Sequence, residues 1–241
     1  TTLYSSLKQL ATPDVNVCTI EDPIELVEPS FNQMQINASI DLNFADGVRA
    51  LLRQDPDIIM VGEIRDLETA EVAIQAALTG HLVLSTLHTN DAPAAITRLL
   101  ELGVPYYLLK ATVLGVVAQR LVRRLCKHCK KPAPVSAERW LEVTSGTNAL
   151  PRPPVVFEAV GCLECRETGY LGRLGIYEMV PLDDGIRDVI HAETDLGKLR
   201  NICYKHGAMP LRLAGAQKVI DGLTSIDEIL GTTPPAIFGQ A

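Results

Sequence analysis

The first half of the chain alternates short apolar runs with amphipathic stretches, a pattern that indicates a parallel α/β sheet. Three apolar runs predict strands: 15–20, 58–61 and 81–87. Three stretches with apolar residues at helical spacing predict helices: 44–54, 66–78 and a helix that opens at Asp91. A further helical stretch is predicted over 106–124. We therefore expect an α/β fold in this half of the chain.

The residue composition of the sequence changes after residue 125. Residues 126–181 hold four cysteines, a proline-rich stretch and the glycine-rich turn 169–172, which indicates a small subdomain held together by a metal. Short helical patterns follow, with a tail from Gly231. The sequence thus predicts three parts: an α/β domain over 1–125, a metal-binding subdomain over 126–181, and a C-terminal helical subdomain with its tail over 182–241.

Composition is that of a globular protein, with 47% hydrophobic and 21% charged residues in a chain of 241. These values exclude a disordered tail, a collagen-like chain and a coiled coil. The longest stretch without a formal charge, 72–90, contains glutamine, histidine, serine and threonine, so we expect no transmembrane helix. Lysine and arginine number 22 against 29 acidic residues, and the net charge of −7 gives no support for nucleic-acid binding.

Acidic residues follow two of the predicted strands. The segment 21–25 (EDPIE) suits water activation or magnesium binding near a phosphate, with a charged strand exit as the alternative. Glu63 follows the buried run 58–61, where helicase-like ATPases keep the acid that polarises water. The residue before it is Gly62 rather than the usual aspartate, so magnesium would rely on other ligands, such as Glu21 or a hydroxyl of a phosphate loop. An ordinary surface carboxylate is the alternative for Glu63.

Two histidines flank the third predicted strand. His81 and His88 are seven residues apart, so a regular strand would point them to opposite faces and they would not share one metal. Glu21, Glu63 and His88 come just past the carboxyl ends of successive strands, where open parallel α/β sheets bind ligands. We therefore expect these three side chains to share one site. A histidine there can contact a γ-phosphate, and a structural histidine is the alternative.

The four clustered cysteines form two C-x-x-C pairs: Cys126 with Cys129, and Cys162 with Cys165. This spacing predicts a tetrahedral zinc site, and the 32 residues between the pairs (130–161) must form an excursion. Zinc held by four thiolates has no open position for water, so we expect a structural role, with unligated core cysteines as the alternative. Cys18 and Cys203 stand alone and are expected to be buried.

A basic segment overlaps the first cysteine pair. Residues 118–131 contain six lysines and arginines and no acid. This segment could meet an acidic partner, a neighbouring subunit's nucleotide, anionic lipid or nucleic acid. The alternative is a solvated face whose charge offsets that of the zinc thiolates.

The phosphate-binding motif G-x-x-x-x-G-K-[ST] does not occur in the sequence. The α/β pattern needs a strand, a phosphate loop and a helix in front of Thr1, and 1–7 is typical of the helix that starts inside such a loop. We therefore expect the chain to begin at the loop. We also expect it to bind ATP poorly by itself, because the loop's N–H groups and lysine supply most phosphate contacts.

Together these segments resemble the secretion ATPase superfamily of type II secretion and type IV pilus assembly, the GspE and PilB group. The matching stretches are 1–7, 21–25, 51–66, 79–90 and 119–121. The resemblance implies a RecA-like parallel sheet with helices on both faces, a small zinc-binding subdomain and a C-terminal helical subdomain. It also implies an ATPase that uses ATP, Mg²⁺ and Zn²⁺.

The resemblance implies roles for individual residues. Glu63 matches the Walker B glutamate that polarises the attacking water, and 21–25 matches the aspartate box, in which Glu21 helps magnesium and water. His81 and His88 match the histidine box, which is similar to a γ-phosphate sensor. The residues implied at the nucleotide are Thr1, Thr2, Glu21, Asp22, Glu25, Gly62, His81 and His88. The implied zinc ligands are the four clustered cysteines.

The resemblance further implies a homo-hexameric ring with its sites at subunit interfaces, cytoplasmic and peripheral to the bacterial inner membrane. Its partners would be an inner-membrane platform protein and a cytoplasmic adaptor, with no nucleic acid. The four cysteines match the assembly ATPases rather than the retraction ATPases, and 114–123 resembles the type II secretion branch. Two alternatives remain: a zinc-bearing interaction module without catalysis, and a RecA-like nucleic-acid motor whose hydrolysis DNA or RNA would stimulate.

Overall fold

The computed structural model describes residues 2–237, which form two compact units. The first unit comprises 2–88 and 98–113, and the second comprises 89–97 and 114–237. The helices up to residue 113 are α1 (Thr2–Leu10), α2 (Phe44–Leu51), α3 (Leu67–Leu78), α4 (Ala92–Glu101) and α5 (Tyr106–Thr112). The strands of the first unit are β1 (Val17–Glu21), β2 (Asn32–Gln35), β3 (Ile58–Val61) and β4 (Leu82–Ser85).

A parallel sheet in the order β2-β1-β3-β4 forms the centre of the first unit. Successive residues of β1 and β3 point to opposite faces, and both faces are buried. The cluster on the α1 face includes Tyr4, Leu7, Val17, Ile58 and Met60. The cluster on the face of α2 and α3 includes Cys18, Ile20, Val48, Ile59 and Ala73. The predicted parallel sheet with helices on both faces is confirmed.

The prediction of a helix over 106–124 is wrong beyond Thr112. Residues Gly115–Leu125 form strand β5, which pairs antiparallel with β8 (Tyr170–Pro181). The apolar residues of this segment fit helical spacing, but its valines favour a strand because their branched side chains suit a pleated surface. The partner strand lies far along the chain, so the local pattern does not reveal the pairing.

The second unit contains β5 with β8 and a smaller antiparallel pair, β6 (Lys131–Pro134) with β7 (Val155–Glu158). Its remaining helices are α6 (Ala137–Val143), α7 (Asp184–Asp188), α8 (Leu196–Lys205), α9 (Leu211–Ile220) and α10 (Ile226–Thr232). Its core includes Val122, Trp140, Val156, Ile176 and Ile229. The predicted short C-terminal helices are confirmed, whereas the division at 125 and 181 stays a prediction. Between residues 2 and 237, no helix combines the length and the hydropathy needed to cross a membrane.

Candidate functional site

Two of the predicted site residues lie where strands β1 and β3 end. Glu21 is the last residue of β1, and Gly62 follows the last residue of β3. The N–H of Gly62 donates to the carbonyl of Ile20 at 2.8 Å. A β-carbon at Gly62 would lie 3.2 Å from that carbonyl oxygen and 3.5 Å from Cα of Glu21. A larger residue at this position would therefore push the two strand ends apart.

Glu21 is a buried carboxylate, 4% exposed, with donors on both oxygens. Its Oε2 accepts from the hydroxyl of Tyr4 at 2.5 Å. Its Oε1 accepts from the hydroxyl of Thr19 at 2.6 Å and from Nε2 of Gln33 at 3.2 Å. Burial, together with the hydrogen bond to Glu21, raises the pKa of Tyr4 to about 12. These donors supply the hydrogen bonds that a buried carboxylate requires.

Replacing Tyr4 with phenylalanine tests this network. Tyr4→Phe leaves Oε2 of Glu21 buried without its donor, so we expect the free energy of unfolding to fall by about 2 kcal/mol. Urea unfolding at pH 7 measures the change. Tyr107→Phe, at a tyrosine that is 59% exposed, is the matched control and should cost less than about 0.5 kcal/mol. Equal effects of the two substitutions would contradict the assigned hydrogen bond.

Glu63 lies directly beyond Gly62, and its side chain is 13% exposed. Its Oε2 lies 3.2 Å from Nε2 of His88, and its Oε1 forms an ion pair with Arg65. The hydroxyl of Thr86 donates to the carbonyl of Gly62 at 2.6 Å, which holds the segment after β4 beside the segment after β3. A carboxylate next to an imidazole at the edge of a parallel sheet can orient a water molecule and accept its proton.

Three further residues predicted at the nucleotide have exposed side chains. Asp22 and Glu25 are exposed on the loop after β1, so both carboxylates are open to solvent. Thr2 is exposed as the first residue of α1. Thr1 lies outside the described residues.

His81 does not join Glu63 at the carboxyl edge of the sheet. It precedes Leu82, the first residue of β4, whereas Glu63 follows the other end of the neighbouring strand. A strand of this length places the two ends ~10 Å apart. Nδ1 of His81 lies 2.9 Å from the carbonyl oxygen of Ala76, which closes the turn after α3.

Tyr4, Thr19 and Gln33 are contacts of Glu21 that the sequence analysis missed. Thr19 stands two residues before Glu21 in the same strand and therefore shares its face, a signal that the sequence does carry. Tyr4 and Gln33 come from α1 and β2, and no local pattern pairs either residue with Glu21.

The four clustered cysteines converge on one point, and their Sγ atoms all lie within 4.8 Å of one another. The sulfur–sulfur distances are 3.9 Å for Cys126–Cys162, 3.8 Å for Cys129–Cys165 and 3.8 Å for Cys162–Cys165. A zinc ion with Zn–S distances of about 2.3 Å places tetrahedral sulfurs about 3.8 Å apart. The cluster therefore fits a zinc ion in its structural, four-coordinate form.

Backbone N–H groups donate hydrogen bonds to two of the four sulfurs. The N–H groups of Cys162 and Gly169 donate to Sγ of Cys165, each at 3.2 Å, and that of Gly161 donates to Sγ of Cys129 at 3.4 Å. Burial opposes the charged form of Cys165, but its hydrogen bonds outweigh burial and lower its pKa to about 7. Burial raises the pKa of Cys129 to about 11. Zinc binds deprotonated cysteines, so the fold prepares Cys165 for the metal.

The chain between the two cysteine pairs forms β6, α6 and β7, which is the predicted excursion. Short strands and one helix fill its length and return the chain to the cluster. Cys18 and Cys203 are both buried, as predicted, and neither belongs to the cluster.

Two residues of the basic segment 118–131 form hydrogen bonds inside the second unit. Nε of Arg123 donates to Oε2 of the buried Glu228 at 2.7 Å. Nζ of Lys130 donates to the carbonyl of Gly222 at 2.7 Å. These two residues therefore stabilise the fold, and an external partner for the segment stays a prediction.

Residues 1–231 match the family model described as Type II/IV secretion system protein. The chain is 60% identical over 234 residues to the Type IV pilus assembly ATPase TfpB of Acinetobacter baylyi, covering 97% of this chain and 40% of that protein. It is 46% identical over 233 residues to Type II secretion system protein E of Aeromonas hydrophila, covering 97% and 46%. The chain thus spans less than half the length of these relatives.

Two solved structures share the fold. The pilus retraction motor PilT with bound ADP has a TM-score of 0.66 and 28% identity, covering 97% of this chain and 57% of that one. The ATPase DotB of Legionella pneumophila has a TM-score of 0.65 and 26% identity, covering 95% and 55%. Both likenesses agree with the α/β fold predicted from the sequence.

Proposed function

The chain belongs to the Type II/IV secretion system protein family, and we propose that it carries the water-activating and zinc-binding parts of an ATP-hydrolysing motor. The observation that carries this proposal is the arrangement at the carboxyl edge of the parallel sheet. There Glu63 contacts His88, and Gly62 packs against the backbone of Glu21. Ligands of open α/β sheets bind at this edge.

Each residue at the edge has a proposed task. Glu63 orients the attacking water and accepts its proton, and His88 contacts the γ-phosphate. Glu21, with Asp22 and Glu25 on the adjoining loop, holds magnesium through bound water. Magnesium bound with ATP neutralises charge on the phosphates.

The start of the chain contributes to the phosphate side of the site. Thr2 is the first residue of α1, and we assign it, together with Thr1, to the phosphates. The 241 residues contain no G-x-x-x-x-G-K-[ST] motif, so this chain alone binds and hydrolyses ATP poorly. His81, whose Nδ1 contacts the carbonyl of Ala76, has a structural role in the turn after α3.

The zinc ion of this proposal is structural. Cys126 and Cys129 follow β5, and Cys162 and Cys165 precede β8, so one ion ties the ends of two paired strands. Four thiolates leave the metal no position for a substrate. A zinc site of this kind supports an assembly or secretion motor rather than a retraction motor.

The partners proposed for the motor follow from the family. The protein acts as a homo-hexamer in the cytoplasm, peripheral to the inner membrane, with a platform protein and a cytoplasmic adaptor as partners. The pilus assembly ATPase of Acinetobacter baylyi is 60% identical to this chain, whereas the type II secretion protein of Aeromonas hydrophila is 46% identical. Pilus assembly is therefore favoured over the type II branch that 114–123 suggested.

Magnesium-dependent ATP hydrolysis by the hexamer of the full-length protein tests this function. We expect hydrolysis that single-stranded DNA and RNA do not stimulate. Stimulation at low salt that disappears at high salt would favour the nucleic-acid motor. A hexamer that binds no nucleotide would favour the zinc-bearing interaction module.

A further inference from the structure

The loop that follows β1 carries two carboxylates of the proposed magnesium site, Asp22 and Glu25. Residues 22–27, which we call the acidic loop, form neither helix nor strand. Leu26 is 54% exposed and Val27 is 80% exposed, so burial of apolar side chains contributes little to fixing this loop. Its polar contacts therefore decide where the two carboxylates lie.

Gln33 of β2 contacts the residues on both sides of the acidic loop and one residue within it. Its Nε2 donates to Oε1 of Glu21 at 3.2 Å and to the carbonyl of Leu26 at 2.9 Å. Its Oε1 accepts from the N–H of Glu28 at 2.7 Å. Nε2 also donates to the hydroxyl of Tyr4 at 3.0 Å, and that hydroxyl donates to Glu21. All of these residues belong to the first unit, so one side chain ties the loop to the edge of its sheet.

Strand pairing places Gln33 on the face of the sheet that carries Glu21. The parallel register aligns Gln33 with Thr19 and Gln35 with Glu21, and successive side chains of a strand alternate between faces. These four side chains therefore point to the same face. Gln35 adds a second contact to the loop, because its Oε1 accepts from the N–H of Ile24 at 3.2 Å.

The residues on either side of the acidic loop are themselves held firmly. Oε2 of the buried Glu28 forms an ion pair with Nζ of Lys8 on α1 at 2.5 Å, and its Oε1 accepts from the hydroxyl of Ser30 at 2.9 Å. At the other side, Glu21 is buried among its three donors. The contacts of Gln33 therefore act on a loop whose two ends are fixed.

A side-chain amide is suited to these contacts. Gln33 donates through Nε2 and accepts through Oε1, whereas a carboxylate does not donate and an ammonium group does not accept. An apolar side chain of the same length, such as that of methionine, would fill the space without joining the two ends of the loop. The amide therefore fixes the loop rather than adding apolar burial.

The carboxylates of the acidic loop fit magnesium. Asp22 and Glu25 are both open to solvent. Mg²⁺ keeps several of its waters in proteins and binds through one or two carboxylates together with the phosphates of a substrate. Glu21 is buried and already accepts three hydrogen bonds, so the two loop carboxylates are more accessible to a hydrated ion.

We propose that Gln33 is a positioning residue that holds the acidic loop, and with it Asp22 and Glu25, in the place where they bind magnesium. This inference rests on the proposed function and adds to it a residue of β2. Gln33 touches neither the metal nor the nucleotide in this scheme. Its loss loosens the loop and weakens the contribution of magnesium to nucleotide binding, while the contacts to the phosphates remain.

Gln33→Met tests this inference in the hexamer of the full-length protein, because methionine keeps the length of the side chain and removes the amide. The affinity for a non-hydrolysable ATP analogue is measured with excess magnesium and again with EDTA. We expect the gain in affinity from magnesium to be about 10-fold smaller in the variant, with the affinity in EDTA changed less than about 3-fold. Gln75→Met, at an exposed glutamine of α3, is the matched control and should change neither affinity.

Amide hydrogen exchange in the absence of metal and nucleotide tests the loop itself. We expect Gln33→Met to speed exchange about 10-fold or more in peptides that cover 22–30, because the N–H of Glu28 loses its acceptor. Exchange in α3 should stay unchanged, since a local loosening does not reach it. Gln35→Met, which removes the side-chain contact to Ile24, should have a smaller effect of the same kind in both experiments.

An unchanged magnesium dependence in Gln33→Met would overturn the inference, as would unchanged exchange in 22–30. Exchange that speeds up equally in the loop and in α3 would show a general loss of stability and would also overturn it. If Gln33→Met forms no folded hexamer, Gln35→Met decides between the same outcomes.

A variant that carries both Asp22→Asn and Glu25→Gln separates this inference from the proposed function in the same binding assay. A magnesium dependence that this double variant leaves unchanged contradicts the proposed magnesium site and, with it, the role of Gln33. A magnesium dependence that the double variant reduces but Gln33→Met leaves unchanged contradicts the role of Gln33 alone.

Discussion

Replacing Glu63 with glutamine is expected to lower kcat for ATP hydrolysis about 10²- to 10⁴-fold in the full-length hexamer. Glutamine has nearly the same shape as glutamate but cannot accept a proton from water at neutral pH. The backbone after β3 should be unaffected, because Gly62 and Thr86 hold it through main-chain and hydroxyl contacts. We therefore expect the affinity for ATP to change less than about 3-fold, which steady-state kinetics and equilibrium binding measure separately.

Glu68→Gln is the matched control for this substitution. Glu68 is also a glutamate close to Glu63 in sequence, but its side chain is 58% exposed and pairs with Arg49 on the surface. Exposed ion pairs of this kind contribute about 1 kcal/mol or less, so neither kcat nor stability should change noticeably. A Glu63→Gln hexamer that keeps at least a third of the wild-type kcat would exclude Glu63 as the residue that activates water.

Replacing Cys165 with alanine is expected to remove zinc and to lower the free energy of unfolding by about 4 kcal/mol or more. Cys165 accepts two backbone N–H hydrogen bonds and lies 3.8 Å from the sulfurs of both Cys129 and Cys162. Its loss leaves three ligands, and the segments after β5 and before β8 lose their shared metal. Elemental analysis for zinc and urea unfolding at pH 7 measure the two effects.

Cys203→Ala is the matched control for the zinc prediction. Cys203 is as buried as Cys165 but lies on α8, and it is not a member of the sulfur cluster. Its replacement removes one sulfur from the core and should cost about 1 kcal/mol, with the zinc content unchanged. Equal zinc content in wild type and Cys165→Ala would contradict the four-cysteine site.

Local sequence patterns were sufficient to predict where part of the candidate site lies. Strand β3 has its predicted bounds, because four consecutive apolar residues lie between Asp57 and Gly62. Glu63 comes two residues after that strand, so its place at the strand's end is predicted by its sequence position alone. The cysteines follow from their spacing, because a C-x-x-C pair places two sulfurs on one turn whatever the rest of the chain does.

The remaining contacts join residues that are far apart in the sequence, and local patterns do not predict them. Two of the three donors to Glu21 are Tyr4 and Gln33, which are 17 and 12 residues away and lie on different elements. The ion pair of Asp91 with Arg200 spans 109 residues. Strand β5 likewise depends on β8, since the spacing of its apolar residues is compatible with either a buried helix or a strand. Hydrophobic periodicity is a property of one segment at a time and does not reveal which segments pair in the fold.

Identifying the nucleotide that stays bound to the hexamer tests the central claim most directly. Wild-type and Glu63→Gln hexamers are incubated with ATP and magnesium, separated from free nucleotide, denatured, and analysed by chromatography of the released nucleotide. The account predicts mainly ADP from the wild type and mainly ATP from Glu63→Gln, because the variant binds ATP but does not activate water. Equal conversion to ADP in both proteins, or no nucleotide in either, would contradict it.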